Sequence, residues 1–161
     1  MPKRNLLIVV ENKSKYNSLE EATLSGYFNV DVVSDFVEAN EKLKNLYDTI
    51  FLELQGIALL SPEKIPPFVP ETIYQEYNKD PINFVGKYLL EKIRNDKCSL
   101  NKNTPIIVRV DGSPENRRDK AKFISMGATN VIYIPSELDE LEEFIKPFDI
   151  SLESLKSKYS K

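Results

Sequence analysis

The 161-residue sequence contains no histidine and no tryptophan, and its only cysteine is Cys98. Without histidine, neither histidine-based acid–base catalysis nor a histidine-ligated metal site is possible. A single cysteine rules out a disulfide within the chain and fits a reducing compartment, so the composition predicts a cytoplasmic protein. The sequence also lacks the nucleophile-elbow motif of common hydrolases, and we do not expect an enzyme.

Long apolar runs, excess positive charge and glycine-rich loops are missing as well. No apolar run approaches the roughly 20 residues that cross a bilayer, and the apolar stretch before Glu11 is too short for a signal peptide. The net charge is −3 with an isoelectric point near 5.2, which disfavours a dedicated nucleic-acid binder. Only five glycines occur and none follows the first apolar run, so we expect no phosphate loop and no cofactor.

The sequence is organised around residues 48–54, which combine β-branched and aromatic residues in a run too short for a helix. This pattern is typical of a buried parallel strand, and Glu53 would lie at its carboxyl end, where open α/β sheets place their sites. Further strands are predicted at residues 5–10, 30–33, 105–110 and 131–134. Helical patterns separate them, so the sequence predicts a doubly wound, five-stranded parallel sheet in a three-layer, flavodoxin-like sandwich.

The predicted helices carry apolar faces and start signals. Asp35 and Glu38 cap a helix whose inner face is Phe36, Ala39, Leu43 and Leu46. Asp80 and Pro81 begin a second helix, with Ile82, Val85, Leu89 and Ile93 on one side. A third runs from Ser113 to Met126 and ends at Gly127. Shorter helices are expected from Ser18 to Gly26, after Ser136, and within the tail.

Residues 55–80 form an insert after the third strand, with prolines at positions 62, 66, 67 and 70 among apolar residues. A loop of this length is uncommon in a compact domain, and its apolar content predicts packing against the domain. Two interpretations stay open: a lid or docking element, and a tolerated surface insertion. We divide the chain into a domain of residues 1–148, which includes the insert, and a tail of residues 149–161.

Four motifs, taken in order, resemble the response-regulator receiver (CheY-like) domain. The first strand ends in Glu11-Asn12, where receivers carry an acidic magnesium-binding pair. YDTIFLE resembles the phosphoacceptor strand, with Glu53 at the position of the acceptor aspartate. PIIVRVDG places Val110 at the position of the switching Thr or Ser, and GATNVIYIP places Ile134 at the position of the lysine. The resemblance implies the receiver fold over nearly the whole chain outside the insert and the tail.

The departures from the receiver pattern affect the positions that carry out phosphoryl transfer in that family. The extra methylene of Glu53 moves its carboxylate relative to an aspartate, which spoils in-line transfer of a phosphoryl group. Asn12 is a weaker cation ligand than an acid, Val110 has no hydroxyl, and Ile134 cannot neutralise phosphoryl charge. The aromatic partner of the switch is shifted along its strand, as Tyr133. The chain therefore resembles a degenerate receiver, or pseudo-receiver.

The acidic pocket has a functional and a structural interpretation. Glu53 either supplies a fixed negative charge that imitates phosphorylation, or it is a solvated or paired carboxylate at a strand end. Glu11 and Glu53 are weak candidates for a Mg²⁺ site, but two carboxylates alone are few ligands for this ion, and we expect no bound metal.

The charged residues around the fourth strand are predicted to be structural. We expect Asp111 to contact the following helix start and Arg109 to form a surface ion pair. A basic helix face is expected to be solvated, with contact to an acidic partner as the alternative; it comprises Arg117, Arg118, Lys120 and Lys122.

Our leading hypothesis is a non-catalytic, phosphorylation-independent pseudo-receiver that acts in two-component signalling or regulation through protein contacts. The resemblance implies a partner or homodimer surface formed by the family's fourth helix, fifth strand and fifth helix, here residues 113–146. The insert is the other candidate surface, and we expect no direct contact with nucleic acid or membrane. One alternative is an atypical receiver that still accepts a phosphoryl group or Mg²⁺ at the acidic site. A second alternative is a small-molecule binder in the strand-end crevice.

Overall fold

The structure is a computed structural model that describes residues 4–11, 28–59 and 71–134. These ranges contain a five-stranded sheet in which every neighbouring pair is parallel, in the order β2-β1-β3-β4-β5. The strands are β1 (Arg4–Val9), β2 (Phe28–Val33), β3 (Thr49–Glu53), β4 (Ile106–Asp111) and β5 (Asn130–Ile134). The predicted parallel α/β sheet is confirmed.

The described helices connect these strands, as parallel neighbours require. They are α1 (Phe36–Lys42), α2 (Glu71–Lys79), α3 (Phe84–Asn95), α4 (Pro114–Arg118) and α5 (Lys120–Ser125). The predicted helices from Ser18 and after Ser136, the tail, and the proline-rich part of the insert lie outside the described residues. None of the helices just named is long and apolar enough to span a bilayer.

β3 lies at the centre of the sheet and pairs with β1 on one side and β4 on the other. Its alternate side chains point to opposite faces, as in any strand. Ile50 and Leu52 are fully buried, and with Leu54, just beyond the strand, they belong to the large core cluster under the described helices. Phe51 and Glu53 point to the opposite face and are half-buried. The apolar run thus fixes the strand, and Glu53 ends it.

The predicted capping of α1 is confirmed by two hydrogen bonds. The Glu38 N–H donates to Asp35 Oδ1 at 2.7 Å, and the Ser34 N–H donates to Glu38 Oε2 at 3.1 Å. Phe36 and Ala39 are buried as predicted. The prediction for Leu46 was wrong: the helix ends at Lys42, so Leu46 follows a turn and is 63% exposed.

The segment after β3 is more ordered than the sequence suggested. Ile57 and Leu59 are buried in the core cluster, so these two apolar residues of the insert pack against the domain as predicted. Ala58 forms an isolated parallel bridge with Asp35, and the Phe36 N–H donates to the Ala58 carbonyl at 2.9 Å. Residues 71–79, predicted as irregular, form α2, an amphipathic helix that packs on α3 through side chains such as Tyr77.

α3 begins later than predicted. Pro81 lies in a turn, and the first helical residue is Phe84, whose N–H donates to the Asp80 carbonyl at 3.0 Å. Ile82, predicted to face the core, precedes the helix and is 61% exposed. The remaining predicted residues are correct, because Val85, Leu89 and Ile93 are buried along one side of α3.

The single helix predicted from Ser113 to Met126 is divided in the structure. Asp119, with ψ near 9°, opens the helix between α4 and α5, and its N–H is shared by the carbonyls of Glu115 and Asn116. Gly127 has φ of +120° and ends α5 as predicted, since a side chain is strained in that conformation. The bend keeps Phe123 buried against the sheet.

α3 makes a close contact with Leu54, the residue that follows β3 at the carboxyl edge of the sheet. A Cβ atom added to Gly86 would lie 2.1 Å from the Leu54 carbonyl oxygen and 2.7 Å from its carbon. Only glycine allows the helix to approach this backbone so closely. Because Leu54 directly follows Glu53, this contact also determines how close the end of β3, and with it Glu53, lies to α3.

Replacing Gly86 with alanine should therefore destabilise the fold. The clash is with backbone atoms that cannot rotate away, and overpacking of this kind costs about 1–3 kcal/mol. Chemical denaturation should show this loss for G86A, whereas Lys87→Ala, at the next and half-exposed position of α3, should unfold close to the wild type. Equal stability of the two variants would contradict the proposed close contact.

Candidate functional site

The parallel register brings the ends of four strands to one edge of the sheet. Val9 pairs with Leu52, and Glu53 pairs with Arg109. On the next strand, Val110 pairs with Tyr133 and Asp111 with Ile134. The edge therefore gathers the predicted site residues Glu11, Glu53, Val110, Tyr133 and the backbone of Ile134. Asn12, the remaining predicted residue, lies outside the described residues.

Glu53 and Glu11 are joined by a hydrogen bond. The backbone N–H of Glu11 donates to Glu53 Oε2 at 3.0 Å, so the end of β3 is tied to the end of β1. The bond is open to solvent, but it gives the carboxylate a partner at the end of β1. Among the described residues, Glu53 has a backbone partner and forms no ion pair with a lysine.

The Glu11 side chain lies against the turn that follows β3. Gly56 has φ of +85°, and an added Cβ there would lie 3.0 Å from Glu11 Cδ and 3.1 Å from Glu11 Oε2. The turn is held in place because the Gly56 N–H donates to the Ile82 carbonyl at 2.6 Å. A side-chain bond from Gln55 Nε2 to Asn83 Oδ1, at 3.2 Å, supports it further. The first residues of the insert, Gln55 and Gly56, therefore lie beside Glu11 at the carboxyl edge of the sheet.

The two predicted switch residues, Val110 and Tyr133, lie side by side on neighbouring strands. Val110 and Tyr133 are strand partners and belong to the same core cluster, with the Tyr133 ring only 8% exposed. The Arg117 guanidinium lies over this ring, 4.4 Å from its centre, which is the geometry of a cation–π contact. Arg117 Nε also donates to the Gly112 carbonyl at 3.1 Å. The Tyr133 ring is therefore covered on its outer side by the Arg117 guanidinium of α4, the first helix between β4 and β5.

The side chains of Arg109 and Asp111 make different contacts. The Arg109 guanidinium lies 6.0 Å from the centre of the Phe51 ring, and its Nε is buried without a hydrogen-bond partner. The predicted surface ion pair of Arg109 does not form in the described part of the chain. The expected helix-start contact of Asp111 is confirmed, because the Ser113 N–H donates to Asp111 Oδ1 at 2.9 Å.

Chemically, the described part of the edge offers the carboxylates of Glu11 and Glu53, together with that of Asp111, which accepts the Ser113 N–H. Across residues 4–11, 28–59 and 71–134, no three Asp, Glu, Cys or His side chains converge on a point where they could hold a metal ion. Val110 supplies no hydroxyl, and isoleucine at position 134 supplies no amine. The arrangement can hold charge and contact a partner.

Two important contacts were missed from the sequence. Gly86 was not distinguished from an ordinary helix residue, although a glycine within an apolar helical pattern signals close packing. Arg117 was assigned to a solvated basic face, whereas it covers Tyr133. Its position four residues after the N-cap Ser113 placed it one turn into the helix, but nothing in the sequence showed which strand residue it meets.

Comparisons with known proteins agree with this geometry. No protein-family model and no curated protein sequence matches the chain. Solved structures do match. The Francisella response regulator 1452 receiver domain has 20% sequence identity and a TM-score of 0.58, with 90% of this chain and 95% of that chain covered. Chemotaxis response regulator CheY4 of Vibrio cholerae has 17% identity and a TM-score of 0.57, with 91% and 98% covered.

A third similar structure is the receiver domain of a sensor histidine kinase from Pseudomonas aeruginosa PAO1, which has a magnesium ion in its active-site cleft. It shares 17% identity at a TM-score of 0.60, with 91% of this chain and 97% of that chain covered. The chain has the receiver-domain fold. On this fold, the assignment of Glu53 to the acceptor position stays a prediction, supported by its place at the end of the central strand β3.

The start of α4 beside the receiver edge gives a pH-dependent prediction. The Ser113 N–H, with a smaller contribution from the Ser113 hydroxyl, holds the pKa of Asp111 below its usual 3.8. The lowered pKa means that Asp111 stabilises the fold above pH 3.8, and this contribution is lost as the pH falls through the lowered value. Ser113→Ala removes the hydroxyl and the cap to the Asn116 N–H, at a cost of about 1 kcal/mol.

NMR titration of the Asp111 carboxyl should show its pKa moving upward in S113A, and denaturation should show the lost cap. Ser125→Ala is the matched control, because the Ser125 hydroxyl bonds only the Lys122 carbonyl within its own helix. An Asp111 that titrates at 3.8 in the wild type would contradict this account of the helix start.

Proposed function

We propose that this protein is a signalling module of the receiver type that works through protein contacts and does not depend on phosphorylation. The observation that carries the proposal is the state of the predicted acceptor side chain. Glu53 is a glutamate, its carboxylate accepts the Glu11 N–H, and the adjacent switch position is the buried, hydroxyl-free Val110.

Phosphoryl transfer to a carboxylate requires positioning more than covalent chemistry. The attacking oxygen must lie in line with the leaving group, and cations or hydrogen-bond donors must stabilise charge on the transferred group. Glu53 places its oxygen one methylene further from the backbone than an aspartate. Neither Val110 nor Ile134 can donate a hydrogen bond or a positive charge through its side chain. Together, these replacements remove the groups that would stabilise charge on a transferred phosphoryl group. This favours a module that does not carry out phosphoryl transfer.

The described residues fit a receiver-type magnesium site poorly. The P. aeruginosa receiver holds magnesium in its cleft, and Mg²⁺ prefers six oxygen ligands in near-octahedral geometry. Here the described carboxylates at the edge are those of Glu11, Glu53 and Asp111. One oxygen of Glu53 already accepts the Glu11 N–H, and one oxygen of Asp111 accepts the Ser113 N–H. The Glu11 side chain lies against Gly56. We therefore assign no step of the proposed function to a metal ion.

A second candidate function is that of an atypical receiver that still accepts a phosphoryl group. Glu11 and Glu53 both lie at the carboxyl edge, where the Glu53 carboxylate accepts the Glu11 N–H. This geometry favours an atypical receiver that accepts a phosphoryl group on Glu53 over a small-molecule binder, since the edge has no phosphate-binding glycine loop.

Intact-mass spectrometry tests the two candidates directly. After incubation with acetyl phosphate and Mg²⁺, we expect the wild-type protein to gain no phosphoryl mass, like Glu53→Gln. The triple variant E53D/V110T/I134K restores an acceptor aspartate, a hydroxyl and a cation to the receiver fold, and we expect it to gain the adduct. The single variant E53D should gain much less, because the charge-stabilising groups are still missing.

A phosphoryl adduct on the wild type that disappears in E53Q would overturn the proposal in favour of the atypical receiver. The folding of each variant is checked by circular dichroism, since a threonine at the buried position 110 must find a hydrogen-bond partner.

A further inference from the structure

A groove lies between the carboxyl ends of α1 and α3. Its volume is about 390 Å³, and its walls include Leu43 after α1, Ile93 on α3 and Leu100 in the connection from α3 to β4. Ile93 is buried in the core cluster, whereas Leu100 is 58% exposed. Leu43 and Leu100 belong to the connections that enter β3 and β4, so this amino-edge groove lies at the opposite edge of the sheet from Glu53.

Hydrogen bonds hold the walls of the amino-edge groove in place. The buried Asn101 side chain donates to the carbonyls of Leu43 at 3.3 Å and Asn45 at 2.9 Å, and it accepts the Tyr47 N–H at 2.9 Å. Arg94 Nη1, on α3, donates to two carbonyls of the same connection at 2.8 and 2.7 Å. These bonds tie the connection from α3 to β4 to both helices. The groove is therefore formed without a ligand, as small-molecule sites usually are.

Lys92 supplies a positive charge at the groove. Its Nζ donates to Asn40 Oδ1 at 2.6 Å and lies 5.8 Å from the centre of the Phe36 ring, so neutral partners position the ammonium group. No carboxylate in the described ranges lies within ion-pair distance of this Nζ. The other lysine at the groove, Lys44, is paired with Glu41 at 2.7 Å. Lys92 is thus the cation best placed to bind a carboxylate.

Asp96 supplies the opposite charge at the C-cap of α3. Its Oδ1 accepts the Cys98 N–H at 2.9 Å, and the aligned peptide dipoles of α3 add partial negative charge at this helix end. Side chains four residues apart on a helix are neighbours, with Cβ atoms about 5–6 Å apart. Lys92 and Asp96 nevertheless form no ion pair with each other. The groove therefore presents a cation and an anion close together beside apolar side chains.

We propose that the amino-edge groove binds a free α-amino acid with an apolar side chain. The ligand carboxylate bonds Lys92, its ammonium group bonds Asp96, and its side chain contacts Leu43, Ile93 and Leu100. Charge complementarity selects this class, because a simple carboxylate is repelled by Asp96 and a simple amine is repelled by Lys92. The groove volume is at the lower end of the roughly 300–1,000 Å³ of small-molecule sites.

NMR titration of the full chain tests the class of ligand. The probes are L-leucine and L-phenylalanine. The controls are 4-methylpentanoate, which lacks the ammonium group of leucine, and 3-methylbutylamine, which lacks its carboxylate. We expect saturable amide shifts in residues 40–44 and 92–100 with the amino acids, and at least tenfold weaker binding of both controls. Cys98 is exposed at the groove and is the only cysteine, so a bound amino acid should slow its alkylation by iodoacetamide.

Two variants and their matched controls test the location. Lys92→Met removes the cation of the groove, and Asp96→Asn removes the anion while it keeps an oxygen for the Cys98 N–H. We expect each change to weaken binding of L-leucine about tenfold or more. Lys97→Met and Glu91→Gln make the same changes of charge at exposed residues that do not line the groove. We expect little effect from these two, and circular dichroism checks that all four variants are folded.

The inference is overturned if neither amino acid binds saturably, or if the groove variants and their controls weaken binding equally. Binding of 4-methylpentanoate as tight as that of L-leucine overturns the assignment to an amino acid. A dimer that is lost in Leu100→Ser, with no amino acid bound, also overturns it and assigns the groove to a second copy of the chain. The inference goes beyond the proposed function and fails separately from it. Failure of the proposed function appears as a phosphoryl adduct on Glu53, whatever the amino-acid titration gives.

Discussion

The pairing of β3 with a strand on each side is the constraint on which the rest of the structure depends. This strand is apolar except at its ends, so the hydrophobic effect buries it and the parallel ladders fix its register with β1 and β4. The register then determines which side chains meet at the carboxyl edge. Gly86 completes the arrangement, since α3 can approach the Leu54 carbonyl only because this position has no side chain.

On that frame, side chains at the edge of the sheet are engaged in contacts within the protein. Glu53 is bonded to the backbone of β1, Glu11 lies against the turn at Gly56, and Val110 packs on Tyr133 without a hydroxyl. These contacts give side chains at the edge partners within the protein. The proposed function assigns regulation to a partner protein that contacts the surface of this module.

The sequence predicted the sheet well because the strands are short apolar runs with polar residues at their carboxyl ends. It also predicted the caps at Asp35 and Ser113, since capping depends on residues three apart. It placed Leu46 and Ile82 in the core incorrectly, because helical periodicity does not show where a helix begins or ends. The helix at residues 71–79 was missed among the prolines that precede it.

Contacts between distant residues were beyond prediction from the sequence. The bond from the Glu11 N–H to Glu53 and the stacking of Arg117 on Tyr133 depend on strand register and on the bend at Asp119. Local patterns do not encode these relations. The candidate site was therefore predicted as a set of positions, and the structure supplied the interactions that join them.

The central claim is that the edge and the surface beyond it keep one conformation whether or not a phosphoryl-like group is offered. NMR spectra of the amide groups, recorded with and without beryllofluoride and Mg²⁺, test this claim most directly. The account predicts unchanged signals for Glu53, Val110 and residues 114–125. Coordinated shifts of these signals on addition of beryllofluoride would contradict it and identify a working phosphorylation switch.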